Sequence, residues 1–394
     1  MNRKILYFFI LSFIGFFAIF SSTMSKSPIL PLFAESLMVS ETEIQFIGYV
    51  IAASTIPGIL VSIIAGRLSD VYGRNKLILI SMIIFVSAPL LYLFANNIWI
   101  LMVIRFYHGF STAIFMPVVT AAIAESYPEN KGKYISSFSS ITLVGRFLAP
   151  LTGGVLLFIT NYYYYGVYLG CACSAIIAFI LALFLYRTRH QNPEKLYRSD
   201  TISITIKEFG KGIKKVLTHK VILTTSIVQG SQYFAYGIVE AYVILYANSL
   251  QFDTLIIGLI PAILTLMLVG FKPLMGTISD KVGRRFIINI GLLIGGVVSI
   301  LIPFATNYIW LILIVCSFGV SMAMVISSTA AYVSDLSKVK DYGTSIGILS
   351  TIMDIGQTLG PIISGYILVT SSFGGVFWMV GVVLLIAFIM FKFV

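Results

Sequence analysis

Five ionisable side chains stand inside stretches otherwise dominated by Leu, Ile, Val, Phe and Ala: Lys26, Arg105, Arg146, Glu240 and Asp354. A charge deep in hydrocarbon costs at least a few kcal/mol unless it is paired or meets water. Each of the five therefore marks either chemistry or a partner. A carboxylate in apolar surroundings can take up and release a proton as its hydration changes. Glu240 is the first candidate for that role and Asp354 the second. The structural alternatives are a permanent pair of Glu240 with Lys26, and a packing hydrogen bond between Asp354 and a Ser or Thr. Arg146 either grips an anionic group by a bidentate contact or pairs with Asp354. Lys26 lies in the polar run Ser21-Ser22-Thr23-Met24-Ser25-Lys26-Ser27, the pattern of a wet cavity wall. Tyr233, Phe234, Tyr236 and Tyr242, close in sequence to Glu240, are expected to line the same cavity. His108, one helical turn from Arg105, is a proton-relay member or a packed polar residue.

Membrane helices must carry these groups. The chain of 394 residues is 58% hydrophobic and 10% charged, against about 25% charged in a soluble domain. Its apolar runs are long enough to cross a hydrocarbon core of about 30 Å. Twelve spans are predicted, near residues 5–36, 43–65, 76–95, 98–126, 134–158, 164–186, 219–249, 255–276, 286–305, 309–334, 344–369 and 374–392. The fold class is an all-α polytopic membrane protein of two six-helix halves. At about 1.5 Å per residue, Arg146 and Asp354 fall near mid-depth, and Lys26, Arg105 and Glu240 in the outer half. All three cations belong to the first half and both carboxylates to the second. The first span is expected to continue as one helix through Pro28 and Pro31, which argues against a cleaved signal peptide. Ser40 with Glu43 is a predicted capping box and Asp253 a predicted helix cap. The three cysteines show no metal-ligand or disulfide spacing, and neither metal nor cofactor is expected.

A net charge of +11 in a soluble chain would suggest nucleic acid, but its distribution here points elsewhere. Apart from Lys26, Arg105 and Arg146, the Lys and Arg residues gather at the termini and in or beside alternate loops, at 66–76, 127–133, 187–220, 272–285 and 335–343. The intervening loops carry none. An excess of cations on the inner side places both termini and the basic loops in the cytoplasm. Partners are then the bilayer, a small-molecule substrate and protons, with no nucleic acid and a monomeric protein expected. Residues 1–186 and 219–394 form the two bundles. Residues 187–218 form a basic linker, in which Ile206, Phe209, Ile213, Val216 and Leu217 make an amphipathic helix suited to the membrane surface.

One stretch occurs twice. Gly66, Ser69, Asp70, Gly73 and Arg74 recur as Gly276, Ser279, Asp280, Gly283 and Arg284, 210 residues on. Ile47, Gly48 and Ala52 match Ile257, Gly258 and Ala262 at the same offset. Asn96 and Trp99 match Asn307 and Trp310 at 211, as do Gly145, Pro150 and Gly154 with Gly356, Pro361 and Gly365. The chain is thus two copies of one unit, a plan found in transporters built from parallel repeats. In the repeated loop Gly66 and Gly276 are expected to permit close helix approach. Gly73 and Gly283 supply a tight turn, and Asp70 is held by a helix N-terminus or by Arg74.

The doubled loop, the basic centre and six plus six spans resemble the Major Facilitator Superfamily over essentially the whole chain. Gly66, Asp70, Gly73, Arg74 and Lys76 match its most widespread motif. Arg105-Phe-Tyr-His-Gly109 resembles a motif of its proton-coupled drug exporters, which implies that Arg105 tunes the proton site. Gly145-Arg-Phe-Leu-Ala149-Pro150-Leu-Thr-Gly153-Gly154 is similar to its antiporter motif, with Ala149 where a second Gly is usual. The resemblance implies a proton-coupled exporter of small organic solutes or drugs working by alternating access. In that cycle Gly66, Asp70, Gly73, Arg74, Asp280 and Arg284 belong to a cytoplasmic latch. A carboxylate that such exporters often carry in the first span is missing here, which favours neutral, zwitterionic or acidic substrates. A proton symporter importing an organic anion held by Arg146 and Lys26 is the second reading. A membrane enzyme or non-transporting sensor is the third, against which stand short loops and the lack of a nucleophile elbow, phosphate loop or His-Glu metal cluster.

Overall fold

With no water in a bilayer core to satisfy backbone groups, a spanning segment must bond to itself, and all regular structure among the described residues is helical. The computed structural model describes residues 3–188, 220–336 and 342–393. The helix expected at 206–217 lies outside them. In chain order the helices are α1 (Arg3–Lys26), α2 (Ile29–Ser36), α3 (Ile44–Ala53), α4 (Ile56–Tyr72), α5 (Arg74–Leu91), α6 (Ile98–Ser126), α7 (Lys131–Ile159) and α8 (Tyr164–Thr188). After the linker come α9 (Lys220–Ser249), α10 (Thr254–Val282), α11 (Arg284–Leu301), α12 (Tyr308–Leu336), α13 (Tyr342–Thr370) and α14 (Phe373–Lys392).

Eleven helical stretches among the described residues are long and apolar enough to cross a membrane. The one long helix not among them is α9, with 30 residues. It carries Gln229, Gln232, Tyr233, Tyr236 and Glu240 among its apolar residues. Outward-facing apolar side chains such as Val103, at 68% exposure, and Trp310, at 65%, suit a lipid surround.

The first two spans are not continuous helices as expected. Proline has no N–H to donate and disfavours α geometry in the residue before it. The first span accordingly breaks at Ser27-Pro28 into α1 and α2, and the second breaks at Ser54-Thr55 ahead of Pro57. The capping box at Ser40 does not form, because the Ser40 hydroxyl pairs with that of Thr42 at 2.9 Å. Asp253 does cap, its Oδ1 accepting from the Leu255 N–H at 2.8 Å. Asn97 and Asn307 cap α6 and α12 in the same way, accepting from Ile100 and Ile309. That pair corrects the register: Asn307 corresponds to Asn97 rather than Asn96. The offset stays at 210 to the ends of α6 and α12 and becomes 211 at the starts of α7 and α13.

The chain forms two compact units that exchange short segments. One comprises Met1–Val39, Ala53–Tyr197 and Asp253–Ala262; the other comprises Ser40–Ala52, Arg198–Phe252 and Ile263–Val394. Glycine is what admits the exchanged pieces. In the first unit, a Cβ on Gly154 of α7 would stand 2.8 Å from the Thr254 carbonyl oxygen and 2.9 Å from the Gly258 Cα. A Cβ on Gly258 would stand 2.8 Å from the Pro150 oxygen. The second unit repeats the arrangement. There Gly48 of α3 lies against the Pro361 carbonyl of α13, and Gly365 of α13 lies against the Gln45 carbonyl.

Gly154→Ala and Gly258→Ala should each cost about 1–3 kcal/mol, because backbone cannot yield as a side chain does. Gly58→Ala, where a Cβ would meet nothing within 4 Å, should cost little. Thermal unfolding of the purified protein in detergent checks this, and equal unfolding temperatures for all three variants would contradict it.

Candidate functional site

Arg74 begins α5 directly after Gly73, whose φ of 93° is reachable at low cost only by glycine. The turn brings the guanidinium back against the end of α4. There Nη1 donates to the Gly66 carbonyl at 2.9 Å and to the Ser69 hydroxyl, while Nη2 pairs with Asp70. From α6, Glu125 closes the ring, accepting from Nη2 at 2.6 Å and from Nε at 3.3 Å. The Arg74 side chain is 9% exposed, and a planar fork suits so many acceptors where an ammonium would not.

The second unit repeats this ring. Gly283 has φ 109°, and Arg284 meets the Gly276 carbonyl at 3.5 Å, the Ser279 hydroxyl at 2.7 Å, Asp280, and Asp335 at 3.2 Å. Gly66 and Gly276 do not serve close approach as expected, since a Cβ on either would meet nothing within 4 Å.

Of the membrane-embedded candidates in the first unit, Lys26 ends α1 and is half-buried. Arg146 sits on α7 beside Gly145 and is exposed, with no hydrogen bond or ion pair among the described residues. Gly145 itself faces α1, where a Cβ would stand 3.0 Å from the Phe16 carbonyl oxygen. Arg105 is 3% exposed on α6, and His108, one turn on, is 2% exposed. The two share Tyr92, whose hydroxyl lies 3.5 Å from Arg105 Nη1 and 3.3 Å from His108 Nδ1. At the turn after α7, burial and the nearby Asp253 carboxylate raise the pKa of the Tyr162 phenol above its ordinary value.

In the second unit Glu240 lies half-buried on α9, one turn past Tyr236. The Tyr233 and Tyr236 rings are 6.2 Å apart in an edge-on arrangement. Asp354 is half-buried on α13. Its backbone carbonyl accepts from Thr358, and its carboxylate has no hydrogen-bond or ion-pair partner among the described residues. The α9–α13 crossing holds these elements together. Gly356 lies against the Gly230 backbone, a Cβ on Gly237 would stand 2.8 Å from the Gln357 oxygen, and the Tyr242 hydroxyl donates to the Pro361 carbonyl at 2.8 Å. Tyr242 is fully buried here rather than lining a cavity. A polar seam joins α9 to α12, with Thr329 donating to Gln229 and Gln232 to Ser321 at 3.4 Å.

The Major Facilitator Superfamily profile matches residues 11–324 and 226–394. The chain belongs to that superfamily. It is accordingly a multi-pass membrane transporter and not an enzyme. Among similar proteins is one named a multi-drug resistance efflux pump PmrA homolog, from Lactococcus lactis. It is 25% identical over 97% of this chain and 94% of its own length. Another is the quinolone resistance protein NorA of Staphylococcus aureus, 26% identical over 93% of this chain and 90% of its own. In fold the chain is similar to an inward-facing, unoccupied bacterial homolog of the human lysosomal transporter Spinster, with TM-score 0.83, 15% identity and coverage of 100% and 97% of the two chains. It is also similar to a D-xylose–proton symporter, with TM-score 0.77, 16% identity and coverage of 98% and 97%.

Within this superfamily member, sequence reasoning missed Glu125 and Asp335, the acidic residues that complete both arginine rings. They stand 210 residues apart, so the repeat register held the signal. Tyr92 and Tyr168 carried no such mark. Arg74→Lys keeps the charge but loses the fork, and should lower the unfolding temperature nearly as far as Arg74→Ala, by the equivalent of about 1–3 kcal/mol. Arg284→Lys should cost less, since that side chain is 21% exposed. Thermal unfolding in detergent decides, and no loss for Arg74→Lys would refute the role of the fork.

Proposed function

We propose that this chain is a proton-coupled exporter of small organic solutes or drugs, working by alternating access. It acts as a monomer with twelve passes through the cytoplasmic membrane and both termini in the cytoplasm. The carrying observation is near-full-length similarity to proteins named as drug efflux pumps, in a chain whose α9 presents Glu240 beside Tyr233 and Tyr236. Glu240 takes and releases the coupling proton as its hydration changes. Asp354 is the second carboxylate available for that role. Arg105 tunes the proton site, and Lys26, Arg146, Tyr233 and Tyr236 contact substrate. The arginine rings at Arg74 and Arg284 hold the cytoplasmic turns as rigid bodies, and Asp70 exchanges its Arg74 pair for the facing half in the outward-open state.

One observation favours a second reading, a proton symporter importing an organic anion. Arg146 is exposed and has no partner among the described residues, as a substrate-binding cation would be before its anion arrives.

The test is pH inside proteoliposomes under an imposed proton gradient, with cationic, neutral and acidic compounds added in turn. Substrate-triggered proton movement opposite to the solute, lost in Glu240→Gln, is expected. Movement in the same direction, with an acidic compound and lost in Arg146→Gln, would establish the symporter. Flux that survives Glu240→Gln would transfer the coupling role to Asp354. Asp70→Asn should shift the inward/outward balance, read by accessibility of cysteines placed at the two ends; an unchanged balance would refute the latch.

A further inference from the structure

The cluster around Arg105 holds a buried positive charge that the described residues leave uncompensated. A guanidinium can only donate, so Arg105 Nη1 donates to Tyr92 Oη at 3.5 Å. The Tyr92 hydrogen is then free to reach His108 Nδ1, 3.3 Å away. Nδ1 thereby becomes the acceptor, and the imidazole hydrogen sits on Nε2. Tyr168 stacks on Tyr92, with centroids 4.3 Å apart and rings 19° from parallel. Around Tyr92, the atoms Arg105 Nε, His108 Nε2 and Tyr168 Oη are all buried and without hydrogen-bond partners among the described residues. The three residues are 3%, 2% and 0% exposed. No carboxylate pairs with Arg105 among the described residues.

Burying an unmatched cation is costly, and the second unit demonstrates that the fold does not require it. The repeat register places Ile302, Val315 and Phe318 opposite Tyr92, Arg105 and His108, each 210 residues on. Phe377 stands opposite Tyr168 at 209, as the starts of α8 and α14 are spaced. All four counterparts are apolar and at most 1% exposed. The same scaffold thus packs well with no polar atom at any of these positions. Packing does not explain the four polar residues of the first unit.

We propose that Arg105, His108 and Tyr168 form a binding site for a small monovalent anion, a halide or a carboxylate group. Unpartnered donors and a fixed positive charge together call for an acceptor that is itself negative. A water could take the hydrogen bonds but would leave the charge unmatched. The proposal rests on these buried donors themselves and not on which carboxylate carries the coupling proton.

The experiment measures the unfolding temperature of the purified full chain in sodium chloride, bromide, acetate and gluconate, the last a carboxylate too bulky for so buried a site, at matched ionic strength. A rise of about 2 °C over gluconate is expected. A rise with chloride and bromide assigns an inorganic ion, and a rise with acetate alone assigns a small carboxylate. The variant Tyr92→Ile, Arg105→Val, His108→Phe, Tyr168→Phe copies the second unit and should fold but lose the response. Should it not fold, Tyr168→Phe alone removes one unpartnered oxygen and should weaken the apparent anion affinity several-fold. Crystals grown in bromide should show an anomalous peak beside Arg105 Nε. Equal unfolding temperatures in all four salts would overturn the proposal and leave water at the donors. An anion response that survives the variants would place any anion elsewhere and overturn it equally.

Discussion

Helices in lipid are not driven together by the hydrophobic effect, because the tails around them are as apolar as their own side chains. Association then rests on how closely two backbones can approach, and glycine sets that limit. Gly145 against α1, Gly356 against Gly230, and Gly154 against Gly258 are contacts of main chain with main chain. Three of the chemically capable groups lie next to such contacts in sequence. Arg146 follows Gly145 directly, Asp354 precedes Gly356 by two residues, and Glu240 follows Gly237 by three. A small residue fixes the helix and the neighbouring charge inherits its placement.

The two arginine rings solve a different problem. Where α4 turns into α5, and α10 into α11, the chain reverses between two helices. A single guanidinium collects the Gly66 carbonyl from the last turns of α4, a serine hydroxyl and two carboxylates, one of them from a third helix. The left-handed glycine before each arginine makes the reach possible. The turn is consequently a stiff corner, which rigid-body movement of helices requires at its ends.

Much of this was legible in the sequence because duplication makes a chain its own comparison. Asp70 and Asp280, Arg74 and Arg284, Pro150 and Pro361 declared themselves by recurring. What stayed hidden fell into two kinds. Breaks at Ser27-Pro28 and Ser54-Thr55 depend on which prolines the helix tolerates, and Pro89, Pro117, Pro150 and Pro361 all lie inside intact helices. Composition alone does not separate the two cases. The Tyr92–His108–Arg105 chain joins residues from separate helices whose rotation no spacing rule fixes. Tyr92 reads in sequence as one more interfacial aromatic. The exposed side of the molecule was more readable than the inside, since the lipid imposes one rule everywhere and the interior imposes a different one at each crossing.

The exchanged segments bear on how the protein is made. Residues 40–52 pack with the second unit and residues 253–262 with the first. A ribosome delivers Gly48 some 313 residues before Pro361, the residue it lies against. Six helices can therefore be in the membrane while the second of them still lacks its seat. Neither half of the polypeptide is a finished object when released alone, and a chain cut in the linker would yield two fragments each missing a piece that only the other supplies.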